Sequence, residues 1–148
     1  MDVLKVDQDS VNTVAEALTR AFEGDPLVDY LFNRTESAHG TEVAELFRVL
    51  LEVRVALDMP CFRAVESSGT LGGVMGYNTE RPQWEPQHVE RWRSLVQRVK
   101  GLEDRLDEYG FLAERFMPTD PHFYLGTIGV RKGSQGLGVG KKALGAVL

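Results

Sequence analysis

The sequence predicts a single α/β domain over residues 1–148, a mixed, mainly antiparallel sheet flanked by helices. Three observations predict it. Short apolar runs alternate with longer stretches of helical period. Two of those runs are joined by a glycine-bearing turn, the mark of a hairpin. The last run passes straight into a glycine-rich turn that opens a helix.

Residues 3–6 read as an opening strand. Asp9 or Ser10 is placed to cap a helix whose apolar positions Val11, Val14, Ala15, Leu18 and Phe22 recur at helical spacing. Gly24, Asp25 and Pro26 end it, and a short helix follows over Pro26–Phe32 with Leu27, Tyr30 and Leu31 on one side. Residues 33–40 are a polar break. A longer helix runs from Thr41 to about Leu57, with Leu46, Phe47, Leu50, Leu51 and Leu57 facing inward, and Pro60 stops it. Residues 61–65 and 71–77 read as a hairpin across a turn at 66–70 centred on Ser68 and Gly69. Gly72, Gly73 and Gly76 in its second strand require a bulge or a close neighbour.

Residues 80–117 form a long helical insertion with two apolar stripes, one at Val89, Trp92, Val96 and Val99 and one at Leu102, Leu106, Tyr109 and Phe116. Gly101 and Gly110 read as breaks. Residues 122–130 are a strand rich in aromatic and β-branched residues.

A chain of 148 residues with 43% hydrophobic and 26% charged residues is globular in composition, which excludes a disordered protein. A net charge of -5 gives no global attraction to nucleic acid or to anionic membranes. The single cysteine, Cys61, excludes an intrachain disulfide and points to a reduced, cytoplasmic setting. The N-terminus lacks the basic start and apolar run of a signal peptide, and no apolar stretch approaches the roughly 20 residues that span a bilayer.

The segment that carries chemistry is residues 122–148. A strand, a glycine-rich turn and a helix start aim backbone N–H groups and a positive dipole end at one spot, a ready site for phosphate. Gly136, Gly138 and Gly140 have no side chains to keep an anion from those amides. Beyond Pro121 lie four basic residues, Arg131, Lys132, Lys141 and Lys142, and none of the 22 acidic ones. One cationic patch on an acidic chain suits a small phosphorylated ligand, and Arg131 and Lys132 could also meet a ribose phosphate. A Walker A loop would need glycine at 135 and serine or threonine after Lys141, where Gln135 and Lys142 stand. A dinucleotide fingerprint would need glycine where Lys141 stands.

At these residues the chain resembles the GNAT acetyltransferases. Gln135-Gly136-Leu137-Gly138-Val139-Gly140 is similar to that family's (Gln/Arg)-x-x-Gly-x-(Gly/Ala) acetyl-CoA signature, and residues 124–130 resemble the strand beside the pantetheine arm. Ala21-Phe22, Asp25-Pro26, the hairpin and the insertion resemble a subgroup that includes puromycin N-acetyltransferase. The resemblance implies an acyltransferase that moves an acetyl group from acetyl-CoA to an amine of a small molecule. It implies that Ile128, Gly129 and Val130 pair with the pantetheine arm and that the amides of residues 136–141, ending at Lys141, hold the pyrophosphate. It implies a bulge near Gly126 whose amide polarises the thioester carbonyl.

The family continues with another strand, another helix, a closing pair of strands and a tyrosine that protonates the departing thiolate. This sequence stops at Leu148, inside the helix, so the expectation is a C-terminally truncated domain, active with the rest supplied or by a homodimer that closes the sheet. A non-catalytic acyl-CoA-binding module and an inactive fragment are the competing readings. Glu66, Glu80, Asp120 and His122 are conceivable bases for the amine proton, and spacing singles out none. His39, His88 and His122 lack metal-ligand spacing, so no metal site is expected. Cys61 reads as a small core residue. Trp84 is the candidate for an acceptor pocket, Trp92 and Tyr109 read as core, and by resemblance Tyr30 and Phe32 lie on the acceptor side.

Overall fold

A computed structural model describes residues 1–33 and 39–148. Its elements in chain order are β1 (Asp2–Lys5), α1 (Val11–Ala21), α2 (Pro26–Phe32), α3 (Gly40–Ala56), β2 (Cys61–Glu66), β3 (Gly69–Asn78), α4 (Pro86–Arg98), α5 (Leu102–Glu114), β4 (Phe123–Val130) and α6 (Val139–Gly145). Among the described residues the four strands form one sheet in the order β1-β2-β3-β4, every pair antiparallel. The α/β class and the antiparallel hairpin are as the sequence predicts. Residues 34–38 of the expected polar break lie outside the described residues.

Helices cover both faces of the sheet. On one face Val14, Ala15 and Leu18 of α1, Phe47 and Leu51 of α3, Leu95 and Val96 of α4, and Cys61 and Met75 of the strands form the main core. On the other face Val139 of α6 packs with Ala64 and Leu71, and Val130 lies against them. Ala64 pairs with Gly72 and Val65 with Thr70, so Leu71 is an extra residue in β3. That bulge turns Leu71 to the α6 face, because one inserted residue reverses which side the following chain presents.

The strand glycines are explained by close approach. Gly73 and Gly129 are cross-strand partners beneath α1. A Cβ on Gly73 would lie 2.9 Å from Val14 Cγ1, and one on Gly129 would lie 2.9 Å from both Leu18 Cδ2 and Phe22 Cε2. A Cβ on Gly72 would meet the Gly129 carbonyl oxygen at 2.3 Å, and one on Gly76 would meet the Phe123 ring at 2.4 Å. The sheet is bare where the helix and the next strand lie on it.

Several details differ from expectation. Ser10 does stand at the N-cap of α1, but its hydroxyl donates to Asp7 Oδ1 at 2.6 Å and leaves the helix amides alone. Asp25 caps α2 instead, accepting from the Leu27 and Val28 amides at 3.0 Å. With Pro26 in the first turn, this start sends Val28, Leu31 and Phe32 into the core, while Leu27 and Tyr30 stay exposed.

In α3, burial extends to Val43, Val49, Val53 and Arg54 because the helix lies between α1 and α4, while Leu50 and Leu57 are only half-buried. The hairpin turn shortens to Ser67 and Ser68, with Gly69 at φ +106°. Gly101 breaks the insertion in the left-handed region, whereas Gly110 sits within α5, where an exposed helix tolerates glycine for about 1 kcal/mol. Phe116 lies beyond the end of α5 and is exposed, as are Val89 and Tyr109, so each stripe is shorter than its spacing suggested. The last helix closes at Gly145 with Ala146 as its C-cap, short of Leu148. Among the described residues no helix is long and apolar enough to cross a membrane.

Placing a branched side chain under α1 must push helix and sheet apart. Gly129→Val is expected to cost about 1–3 kcal/mol through overpacking. That lowers the thermal midpoint by roughly 2–12 °C in a chain of this size. Circular dichroism melts of the two proteins check it, and an unchanged midpoint would contradict the close approach.

Candidate functional site

The site is built along β4 and the turn that follows it. β4 is the edge of the sheet, with β3 as its strand neighbour. Met75 pairs with Thr127 and the next residue, Gly76, pairs with Leu125, so Gly126 is the extra residue of a bulge. The irregularity falls where the sequence placed it. From the bulge the strand continues through Ile128, Gly129 and Val130, opposite Val74, Gly73 and Gly72.

The chain then makes one 3-10 turn over Lys132–Ser134 and enters the glycine-rich segment. Gly136 and Gly138 have φ of +79° and +78°, and nothing lies within 4 Å of where a Cβ would stand on either. Their conformation suits glycine, and the space above them is open. Gly138 is the N-cap of α6, so the amides of Val139, Gly140 and Lys141 form its first turn. Leu137 is exposed and Val139 is buried against the sheet, which anchors the turn on that face. Gly140 lies at ordinary contact distance from Val130 and Ile128, so its lack of a side chain is less critical.

Polar side chains hold this turn in place. Gln135 Nε2 donates to the Val130 carbonyl at 2.9 Å, tying the turn back to the end of the strand. Arg131 donates from Nε to Ser134 Oγ at 3.0 Å and from Nη2 to Ser68 Oγ at 3.1 Å. Through these two bonds the guanidinium braces the two turns. Lys142 Nζ donates to the Met1 carbonyl at 2.6 Å, while Lys132 and Lys141 are exposed beside the glycine turn.

The four residues weighed as bases do not converge on Gly126. Glu66 is at the β2–β3 turn and meets the N-terminal ammonium at 3.9 Å. Glu80, Asp120 and His122 lie toward the opposite end of the sheet, where His122 exchanges hydrogen bonds with Thr79 and its Nδ1 lies 2.8 Å from the Asp120 carbonyl oxygen. Among the described residues no three His, Cys, Asp or Glu side chains gather as a metal site.

Next to the bulge the structure places side chains that the sequence analysis did not single out. Arg54, on the last turn of α3, is only 5% exposed. A Cβ on Gly126 would lie 3.5 Å from Arg54 Nη2. Arg54 Nη1 donates to the Leu50 carbonyl at 2.9 Å, and its guanidinium carbon lies 5.6 Å from the Tyr77 ring centre. Burial pulls its pKa down to about 10, which still leaves it charged at neutral pH. Arg81 stacks on the same ring at 3.8 Å.

Tyr77 and Tyr124 pair across the strands with ring centres 5.2 Å apart. Burial, then a hydrogen bond with Tyr109, pushes the Tyr124 hydroxyl up to about 12, so it stays protonated as a donor. Trp84 and Trp92 meet edge to face at 5.7 Å, and together with Leu50, Arg54, Tyr77 and Arg81 they line a cavity of about 210 Å³. Trp84 is thus a pocket residue, and Trp92 packs against the main core, as expected, and also shares that wall. Tyr109 is largely surface. Tyr30 and Phe32 are not part of the cavity: Tyr30 donates to Glu108 on α5, and Phe32 is fully buried in the core. Cys61 is also fully buried, and burial pushes its thiol up to about 11.

An antiparallel sheet with helices on both faces, a bulged edge strand and a glycine turn opening the next helix is the GNAT acetyltransferase fold. A solved structure described as histone acetyltransferase HPA2 and related acetyltransferase, from Corynebacterium glutamicum, is similar to the chain at 25% identity with a TM-score of 0.65. The match covers 96% of this chain and 66% of that one, so the chain spans just under two thirds of its neighbour's length. No family model matches the sequence, and no curated protein matches it.

Two predictions arise from this geometry. Gly138→Ala forces a side chain into the left-handed region at about 1–2 kcal/mol, whereas Gly140→Ala meets only ordinary contacts. Thermal melts are expected to show a lower midpoint for the first and little change for the second. The buried, protonated Cys61 is expected to resist an aromatic disulfide reagent at pH 8 in the native protein and to react at once in denaturant. Fast native labelling would contradict its placement.

Proposed function

We propose that this chain transfers an acetyl group from acetyl-CoA to the amine of a small molecule. The observation that carries the reading is the Gly126 bulge in an edge strand that feeds directly into the Gly136–Gly138 turn. The likeness to a solved acetyltransferase supports the same reaction class.

In this reading the backbone of Ile128, Gly129 and Val130 pairs with the pantetheine arm as an added strand. Gln135 sets the turn, and the amides of Gly136, Leu137, Gly138, Val139, Gly140 and Lys141 face the pyrophosphate, with Lys132 and Lys141 adding positive charge. The amide at the Gly126 bulge polarises the thioester carbonyl. The amine nitrogen attacks that carbonyl, the C–N bond forms, the C–S bond breaks and the thiolate leaves. The amine must first lose a proton, since an alkyl amine of pKa about 10.4 is mostly charged at neutral pH. Glu66 meets the N-terminal ammonium and His122 is bonded to Thr79 and Asp120, so in this reading a water takes that proton.

The resemblance to puromycin N-acetyltransferase-type sequences favours a small metabolite or drug-like amine, with the α4–α5 insertion as its cover. The neighbour's description names a histone acetyltransferase, which makes a basic peptide the rival acceptor. Arg54 and Arg81 in the cavity wall repel a lysine-rich tail, and this favours the small molecule. The reading places the protein in the cytoplasm, where acetyl-CoA and a reduced thiol coexist.

Thermal unfolding with acetyl-CoA, with ATP and NAD as controls, tests the cofactor. Ligand at about 100-fold over Kd stabilises by about 2.7 kcal/mol, a rise of roughly 5–10 °C, expected with acetyl-CoA alone. A thiol-release assay over small amines and a basic peptide then tests transfer. A shift without amine-dependent thiol release would identify a binding module, and no shift would sink the acetyl-CoA reading.

A further inference from the structure

The aromatic cavity, whose Arg54 reaches toward Gly126, holds a charge without a counter-charge. Arg54 is 5% exposed, its Nε is buried with no hydrogen-bond partner, and its Nη1 donates to the Leu50 carbonyl. Among the described residues, the titratable groups that act on it are Cys61, Tyr77 and Arg81, and none is a carboxylate. Arg81 adds a second cation to the same wall through its place over Tyr77. In a chain of net charge -5, two guanidiniums without an acid between them are an unusual arrangement. A buried charge is costly unless it is paired, so the missing partner is a ligand anion.

The remaining walls state the rest of the ligand. Leu50, Trp84 and Trp92 are apolar, and Trp84 stands edge-on to Trp92. At about 210 Å³ the cavity is below the roughly 300–1,000 Å³ of drug-sized sites, so the occupant is small. A planar guanidinium recognises a carboxylate by two parallel hydrogen bonds.

We propose that this cavity is the acceptor site and that it selects a small amine which also carries a carboxylate beside an apolar group, the pattern of an apolar α-amino acid. The assignment rests on the acyl-transfer reading above and names its substrate class. A carboxylate held by Arg54 presents the neighbouring amine at the Gly126 bulge, where the thioester carbonyl would lie. The same two cations disfavour the ammonium form, which raises the fraction of amine able to attack.

Both tryptophans of the chain line this cavity, so intrinsic fluorescence reports on it, and the comparison with Arg54→Met separates it from the neighbouring grooves that Trp92 and Trp84 also line. Titrations with phenylalanine and leucine, each paired with its decarboxylated amine (phenethylamine, isopentylamine), test the assignment without acetyl-CoA. A saturable change is expected with at least one amino acid, with at least tenfold weaker binding of the matching amine. Arg54→Met is expected to abolish that preference. Arg81→Gln, at an exposed position that leaves folding intact, is expected to weaken amino-acid binding several-fold and amine binding hardly at all. Equal or tighter binding of the decarboxylated amines, or no fluorescence change with any of the four, would overturn the proposal. A failed acetyl-CoA melt beside a successful amino-acid titration would remove the acyl-transfer reading and with it the acceptor role, leaving a carboxylate pocket. The reverse pair of results would leave acyl transfer and remove the carboxylate assignment.

Discussion

The contact of α1 with the bare strip formed by Gly73 and Gly129 governs the arrangement of the rest. Val14, Leu18 and Phe22 can settle directly on the backbone of β3 and β4 only because those two facing positions carry no side chain. Close packing of this kind is rigid, since an interior at crystal-like density does not yield by fractions of an ångström at low cost. α1 then carries α3 with it through the shared core. α3 in turn sets Arg54 against the bulge. One helix–sheet spacing thus fixes β4 on one side and the cavity cation on the other.

The two faces of the sheet divide the labour. The α1 face, with the larger core, holds the aromatic cavity between α3, β3 and the start of the insertion. The α6 face has only a small apolar cluster, enough to anchor Val139 and set the angle of the last helix. The insertion is held to α3 by polar links, Arg91 with Glu52 and Arg98 with Glu45, in addition to Leu95 and Val96. The arginines of both pairs are partly exposed, and the insertion is held by its few buried residues as well.

How far the sequence could be read follows from the range of the interactions concerned. The turn at residues 135–140 and the strand before it are local, and glycine spacing next to a β-branched run is enough to find them, while the bulge near Gly126 is expected only through the family resemblance. α2 and the hairpin are legible for the same reason, through Asp25-Pro26 and Ser68-Gly69. Arg54 could not be found this way. It stands among Leu50, Leu51 and Val53 in a helical stretch, where a lone arginine reads as surface, and its burial depends on α4 and β3 arriving from elsewhere in the chain. The faces of α2 and α5 were misjudged because a seven-residue or half-exposed helix gives too few turns for periodicity to fix its rotation. The candidate bases were named by residue type alone, and the register of the sheet is what separates Glu66 from His122.

The brace of Arg131 has a bearing on how the domain can be altered. Exposed hairpin tips are ordinarily the safest places to graft a loop or a tag. Here the tip is not independent: Ser68 holds one nitrogen of a guanidinium whose neighbour holds Ser134, at the entrance to the glycine turn. Lengthening the hairpin would therefore loosen a segment more than sixty residues away in sequence. The exposed side of α5, around Phe111 and Leu112, has no such link to the turn among the described residues and is the better attachment point.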